Sequence, residues 1–125
     1  MLAKKFKLPI QESLNKKKAF KFLKGEYFNF KIFENQLNHS RFGVIVPKKI
    51  FKKSFLRNQF KRLIFQEIQS QKIYLNPGRD CLIIAKPKIL KEAENPKIIF
   101  SNEKIKENAK KDLKINFNKI FNEKI

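Results

Sequence analysis

Carboxylates are scarce in this sequence. Its 125 residues include 11 Asp and Glu against 30 Lys and Arg, which gives a formal net charge of +19 at pH 7. From residue 35 to residue 66 there is no acidic residue at all. A chain of this size with so much charge of one sign repels itself unless a polyanion neutralises it, so a nucleic acid or an anionic membrane is the expected partner.

Several other absent features narrow the range of possible locations and partners. The single cysteine, Cys81, cannot form an internal disulfide, and its place in an apolar stretch predicts a buried thiol in a reducing, cytoplasmic setting. No apolar run reaches the roughly 20 residues of a membrane span, and the N-terminus lacks the unbroken apolar segment of a signal peptide. A membrane-surface role would need an exposed apolar face, whereas the apolar faces here are needed for a core. We therefore expect no membrane partner.

Residue sets for side-chain catalysis are missing too. The sequence has no Gly-rich phosphate loop, no Ser/His/Asp set and no paired carboxylates at helical spacing. Its lone histidine, His39, lies in a predicted turn without a companion Cys or Asp cluster, so we expect a surface residue and neither a metal ligand nor a general base. The sequence predicts no catalytic and no metal-binding residue, which argues against a side-chain nuclease.

The first part of the chain is predicted to form one helix and a hairpin. The length and the apolar content of 42% predict a single folded domain over residues 1–125. Residues 1–10 are predicted to be a flexible basic arm that lies along the fold or on the partner. Residues 11–24 are predicted to be a short helix that ends with Gly25 as a left-handed cap. Two strands, over residues 26–34 and 42–47, are joined by a turn with Arg41 at the return and predict an antiparallel hairpin.

The second part adds a helix, a strand and a helix. Five apolar residues after Ser54, the predicted N-cap, recur on one helical face: Leu56, Phe60, Leu63, Ile64 and Ile68. The strand Cys81 to Ala85 has no polar alternation, so both of its faces are expected to be covered. Residues 87–102 are predicted to be an insertion loop with a short extra strand, and residues 103–124 a long amphipathic helix. The order α-β-β-(β)-α-β-α predicts an α+β two-layer sandwich.

The central helix and the loop before it carry the chemistry of RNA binding. The face of the helix opposite its apolar residues offers cations, an amide and the ring of Phe65, and the preceding loop offers four lysines. Cations bind phosphates, and flat rings can stack with bases. The predicted RNA-binding residues are Lys48, Lys49, Lys52, Lys53, Arg57, Asn58, Lys61 and Arg62.

Two motifs in this part of the chain resemble a known family. RFGVIVPKK at residues 41–49 and RNQFKRLI at residues 57–64 are similar, in this order, to the signature of the protein subunit of bacterial ribonuclease P. DCLIIAK at residues 80–86 is similar to the strand that follows in that family. The resemblance covers roughly residues 18–86, and the segment 85–113 is longer than expected.

Three residues depart from the family's usual pattern. The family usually has arginine where Gln59 stands, a basic residue where Phe65 stands and a small residue where Phe51 stands. The predicted RNA contact is therefore weaker in charge at two positions than is usual in the family.

The resemblance implies both a fold and a function. The fold would be the ribonuclease P protein or ribosomal protein S5 domain 2-like fold, with a left-handed βαβ crossover around the central helix, against the usual hand. The chain would be an accessory subunit of a ribonucleoprotein endonuclease, in which an RNA subunit with bound Mg²⁺ removes the 5′ leader from precursor tRNA. The partners would be the catalytic RNA and precursor tRNA, with no obligate protein partner, and the isolated chain would be inactive.

The resemblance also implies a cleft for the leader. An aromatic residue shortly before a glycine belongs to that cleft in the family, and Phe22 stands in this way before Gly25. Tyr27, Lys31 and Phe33 share one face of the predicted strand and are the other predicted leader-binding residues. Two alternatives stay open: the three aromatic residues are core residues, or the chain is a stand-alone structural RNA-binding protein of the ribosomal type.

Overall fold

The structure is a computed structural model, and it describes residues 4–8, 21–76, 78–88 and 103–121. The strands are β1 (Lys21–Lys24), β2 (Phe28–Glu34), β3 (Arg41–Ile45) and β4 (Arg79–Ala85), and the helices are α1 (Ser54–Gln71) and α2 (Glu103–Phe121). Two short 3-10 helices span Lys4–Phe6 and Ile73–Leu75. The predicted insertion beyond Lys88 and the 11–20 part of the first predicted helix lie outside the described residues.

The four strands form one sheet in the order β1-β2-β4-β3. β2 runs antiparallel to both β1 and β4, whereas β3 runs parallel to β4. The predicted hairpin of β2 with β3 is therefore wrong, because β4 lies between them. β4 is apolar along almost its whole length, and its central position gives it hydrogen-bonding partners on both edges. The connection β3-α1-β4 is a βαβ unit, and the predicted α+β class is confirmed.

The end of the first predicted helix is a strand. Lys21–Lys24 pairs with β2, so that Leu23 lies opposite Phe30 and packs against the core, while Phe22 faces the other side. This alternation with a period of two suits an edge strand, and the free edge of β2 supplies its hydrogen bonds. Gly25 is not a left-handed cap, since Gly78 is the only described glycine with a positive φ, at 81°.

Both helices pack on one face of the sheet. The buried residues of α1 are Leu56, Phe60, Ile64 and Ile68, and those of α2 include Ala109, Leu113, Phe117 and Ile120. The Phe60 ring stacks on that of Phe28 with centroids 5.9 Å apart. Phe117 meets the edges of two strand rings, Phe30 at 6.0 Å and Phe42 at 6.2 Å. These aromatic contacts fix the helices over β2 and β3.

The first turn of α1 differs from its prediction. Ser54 is the first helical residue, and Lys53 occupies the N-cap position without a side-chain hydrogen bond to the helix. The helix ends at Gln71, and its C-cap residue Lys72 has a left-handed φ of 53°. The apolar periodicity located the helix correctly, but the cap residue was wrong by one position.

A polar contact joins α2 to the turn between β1 and β2. The carboxylate of Asp112 accepts hydrogen bonds from the backbone N–H groups of Glu26 and Tyr27, each at 3.0 Å. Asn116, one turn later, donates to the Asp112 backbone carbonyl at 2.8 Å. Both polar side chains are buried, at 8% and 3% exposure. The apolar pattern predicted the helix but not this polar contact.

Among the described residues, no helix has the length and apolar character needed to cross a membrane.

Candidate RNA interface

The predicted cations of the loop and of α1 are brought onto one surface. Lys48, Lys49, Lys52 and Lys53 are exposed in the loop between β3 and α1, while Asn58 and Arg62 are exposed and Lys61 is half-buried on the helix. We call these seven residues the basic surface. The loop has a fixed shape because Ile50 and Phe51 are buried and the Ile50 N–H donates to the Pro47 carbonyl at 3.0 Å. The lysines on either side of these two buried residues therefore point outward.

Arg57 has a different position from the other predicted cations. It is half-buried, and its Nη1 donates to two loop carbonyls, that of Phe51 at 2.8 Å and that of Lys52 at 2.9 Å. These bonds join the first turn of α1 to the loop that carries four lysines. Arg57 therefore shapes the basic surface, which the sequence pattern did not show.

The three residues that depart from the family pattern lie in different environments. Phe51 is fully buried, and its ring meets Phe60 with centroids 5.6 Å apart, so a large side chain fills the core here. Gln59 is exposed on the helix. Phe65 is half-buried, and the Lys7 ammonium lies 5.5 Å from its ring centroid. A cation from another part of the chain thus stands at the position where the helix itself carries none.

One exposed ring beside these cations was not among the predicted site residues. Phe55 is 53% exposed, and the Lys53 ammonium lies 5.9 Å from its ring centroid. Phe55 is adjacent to Leu56 in the sequence, and successive helical residues point in different directions. It therefore lies off the face that the apolar positions Leu56 and Phe60 share on a helical wheel. That position was the available signal that Phe55 is not a core residue.

A ring and a cation meet on the sheet face that lies away from both helices, which we call the second sheet face. Phe22 on β1 and Lys31 on β2 are directly opposite in the antiparallel register. Phe22 is 45% exposed and Lys31 is exposed. The next pair is Lys24 with Asn29, whose buried Oδ1 finds no hydrogen-bond donor among the described residues. Residues directly opposite in a sheet have neighbouring side chains, so Phe22 and Lys31 form one contact patch.

The other two predicted leader residues are buried. Tyr27 is 3% exposed and belongs to the core cluster, with the Lys88 ammonium 5.8 Å from its ring centroid. Phe33 is 5% exposed, opposite Asp80 in the register. Tyr27 precedes β2 in a bend, so it does not follow the alternation on which the predicted grouping was based. The structure thus brings together Phe22 and Lys31 as exposed residues and places Tyr27 and Phe33 in the interior.

Arg41, the first residue of the family signature, forms an ion pair within the sheet. Arg41 donates to Asp80 through Nε at 2.9 Å and through Nη2 at 2.7 Å. Asn35 donates to the same carboxylate at 2.7 Å, and Asp80 is fully buried. This forked ion pair fixes the register of parallel β3 and β4 at their N-terminal ends.

The described titratable groups show no arrangement for acid–base or metal chemistry. Burial, with a smaller contribution from Asp80, raises the pKa of the Cys81 thiol far above its usual value, so the side chain is a neutral core residue. The described residues hold no group of three or more His, Cys, Asp or Glu that could bind a metal ion. His39, predicted as a surface residue, is half-exposed, and its Nε2 lies 3.0 Å from the Lys5 carbonyl.

Comparison with known proteins agrees with these motifs. A family model described as Ribonuclease P matches residues 8–111. The chain belongs to the ribonuclease P protein family. The matched range includes both residues of the basic surface, such as Arg62, and residues of the sheet, such as Arg41.

Individual relatives vary in how much of the chain they match. The ribonuclease P protein component of Aliivibrio fischeri is 42% identical over 53 residues, which are 42% of this chain and 44% of the relative. That of Fusobacterium nucleatum is 33% identical over 88 residues, 70% of this chain and 68% of the relative. The chain thus spans less than half the length of the first of these relatives.

A solved structure shows the same fold. The RNase P protein from Thermotoga maritima superposes with a TM-score of 0.72 and 23% sequence identity, over 90% of this chain and 96% of that one. The likeness covers more of the chain than the matched sequence of either relative does, so the fold extends beyond the recognisable motifs.

Proposed function

We propose that this chain is the protein subunit of ribonuclease P, which binds the catalytic RNA and the 5′ leader of precursor tRNA and assists removal of the leader. The observation that carries the proposal is the basic surface, where exposed cations stand on a fixed loop and a helix within a stretch that has no acidic residue from 35 to 66. Its members are the residue types that bind phosphates. Membership of the ribonuclease P family supports the same assignment.

The chemistry of the basic surface supports a binding role for the protein. Lysine and arginine side chains offer positive charge and hydrogen-bond donors, and the amide of Asn58 offers further donors, so these groups attract phosphates. In this proposal the RNA subunit, with its bound Mg²⁺, performs the cleavage, and the protein offsets phosphate repulsion with its net charge of +19. The single buried thiol, Cys81, fits a reducing cytoplasmic location.

The second sheet face supports the placement of the leader. A leader is single-stranded and varies in sequence, so its site needs cations and a flat ring more than base-edge readout. Phe22 and Lys31 supply this combination at adjacent positions. We therefore propose that the leader lies over β1 and β2, on the opposite side of the sheet from α1 and α2.

Reconstitution tests this function against that of a stand-alone RNA-binding protein. The purified chain, ribonuclease P RNA and both together are assayed on precursor tRNA over a range of Mg²⁺ concentrations. We expect no cleavage by the protein alone, and cleavage by the RNA at a lower Mg²⁺ concentration when the protein is present. The complex should also bind precursor tRNA more tightly than mature tRNA. Equal affinity for the two tRNAs, with no effect on the Mg²⁺ requirement, would favour the stand-alone protein instead.

A further inference from the structure

The N-terminal arm has a defined place on the fold. Lys7 forms a parallel bridge with Phe42, and the N–H of Leu8 donates to the Phe42 carbonyl at 2.9 Å. β3 is the outer strand of the sheet on this side, so the arm continues the sheet beyond β3. Leu8 is only 4% exposed. This part of the arm is thus held by both backbone pairing and side-chain burial.

Aromatic contacts hold the preceding residues. The Phe6 ring lies 4.5 Å from that of Tyr74 and 5.1 Å from that of His39, the latter edge to face at 88°. His39 also binds the Lys5 carbonyl at 3.0 Å. Phe6 itself packs against the core cluster. Four consecutive arm residues, Lys5 to Leu8, therefore each have a contact with the folded domain.

This docking places one arm cation, Lys7, against α1. The Lys7 ammonium stands 5.5 Å from the centroid of Phe65, which follows Lys61 by four residues and Arg62 by three on α1. Residues three and four apart on a helix are neighbours, so the ring that Lys7 contacts is itself a neighbour of both of these cations. Lys4 and Lys5 are exposed on the same docked segment. The basic surface thus continues past Phe65 onto the arm.

We propose that the docked arm, through Lys4, Lys5 and Lys7, is part of the surface that binds the phosphates of the large catalytic RNA. The inference rests on the proposed function, since it extends the same surface. Cations held close together repel one another, and bound phosphates relieve that repulsion. A docked arm also loses less conformational entropy on binding than a free one, so its contacts add more affinity. Phe6 acts as a positioning residue for these three lysines.

The first experiment removes the charges and keeps the arm in place. Affinity of the full chain for ribonuclease P RNA is measured against monovalent salt for wild type and for a variant with Lys4→Gln, Lys5→Gln and Lys7→Gln. Each lost phosphate contact lowers the slope of log K against log salt by roughly 0.7 to 0.9, so three contacts lower it by roughly 2.1 to 2.7 and weaken binding at least about tenfold at 0.1 M salt. The matched control replaces three exposed lysines of α2 by Gln, Lys110, Lys114 and Lys119, and should keep the wild-type slope.

The second experiment keeps the charges and releases the arm. Phe6→Ala should lose part of the affinity and salt slope that the triple variant loses, because the three cations are no longer held on the fold. Loss of hydrogen-exchange protection at the Leu8 amide reports the release. If Phe6→Ala releases the arm and still binds as wild type, docking has no role and the proposal fails. If this variant does not fold, the triple lysine variant decides the matter.

The outcomes separate this inference from the proposed function. If wild type shows no salt-dependent binding to ribonuclease P RNA, the proposed function itself fails. If wild type binds and the triple arm variant has the same slope as the α2 control, the basic surface ends at α1 and only the arm inference is overturned. A slope change seen with precursor tRNA alone, and not with the catalytic RNA, would also overturn it.

Discussion

A side chain at Gly25 would collide with the carboxylate of Asp112, since a Cβ built there lies 2.7 Å from Oδ2. The same Cβ would lie 2.9 Å from the Phe28 carbonyl, which accepts a hydrogen bond from the Gly25 N–H at 2.7 Å. Asp112 comes this close because it binds the next two backbone N–H groups, those of Glu26 and Tyr27. The glycine is thus required by the approach of α2 and not by a left-handed φ.

The first prediction concerns this contact. Asp112→Asn replaces one accepting oxygen by an amide nitrogen that cannot accept, and it leaves a largely buried N–H unsatisfied. We expect a loss of about 1 to 3 kcal/mol in the free energy of unfolding, measured by urea denaturation. Gly25→Ala should also destabilise the fold, because the Asp112 side chain must shift. The matched control, Glu107→Gln, makes the same charge change at an exposed site of α2. Equal stability of the Asp112 and Glu107 variants would contradict the prediction.

The second prediction concerns the ion pair of Arg41 with Asp80. Asp80→Asn leaves the 17% exposed Arg41 side chain without its carboxylate, and breaking a buried pair in this way costs roughly 3 to 5 kcal/mol of unfolding free energy. The double variant Arg41→Gln with Asp80→Asn should be less destabilised than the sum of the two single variants. Chemical denaturation of all four proteins measures this coupling. Additive effects would mean that the two side chains do not depend on each other.

Local sequence patterns correctly predicted those helices and strands in which apolar residues recur over many positions. The four buried residues of α1 and those of α2 recur over several turns, and the apolar run of β4 is unbroken, so these elements are where the sequence predicted them. The segment Lys21–Lys24 is too short for its apolar periodicity to distinguish a strand from a helix. Its strand conformation depends on pairing with the free edge of β2. The place of β4 between β2 and β3 is a non-local pairing, which no window of sequence contains.

In the candidate site, too, local features could be predicted from the sequence and non-local contacts could not. Exposure of the lysines between β3 and α1 could be predicted, because they flank Ile50 and Phe51, two apolar residues in a row. The hydrogen bonds of Arg57 to loop carbonyls could not be predicted, because an arginine at this position could bind a phosphate equally well. The burial of Tyr27 depends on a bend that ends the strand's alternation, and the nearness of Lys7 to Phe65 depends on the docked arm.

The third prediction separates Arg57 from Arg62. Arg57→Gln removes hydrogen bonds to two loop carbonyls, so we expect lower thermal stability together with weaker RNA binding. Arg62→Gln removes an exposed charge, so stability should change by no more than about 0.5 kcal/mol. Its salt slope for the catalytic RNA should fall by roughly 0.7 to 0.9. Melting curves and salt titrations of both variants make the comparison, and an unchanged melting curve for Arg57→Gln would remove the structural role given to that residue.

The last prediction places the leader on Phe22 and Lys31. Their side chains are exposed neighbours across β1 and β2, so neither substitution opens a cavity in the core. Stacking of one base on an aromatic ring contributes about 1 to 3 kcal/mol, so Phe22→Ala should lower the affinity for precursor tRNA roughly 5-fold to 150-fold in the reconstituted complex. Affinity for mature tRNA should not change, because mature tRNA has no leader. Phe22→Leu should lose most of the same affinity, since it keeps apolar bulk but removes the flat ring.

Lys31 and a distant control complete this test. Lys31→Gln should reduce the salt slope for precursor tRNA, by about 0.7 for one contact with a single strand, and leave that for mature tRNA as it is. Leu75→Ala, at a residue that is 60% exposed and lies after α1, should alter neither tRNA affinity. The decisive quantity is the ratio of the two tRNA affinities. If Phe22→Ala melts like wild type and keeps that ratio, the leader does not cross this pair, and the exposed ring on β1 needs another explanation.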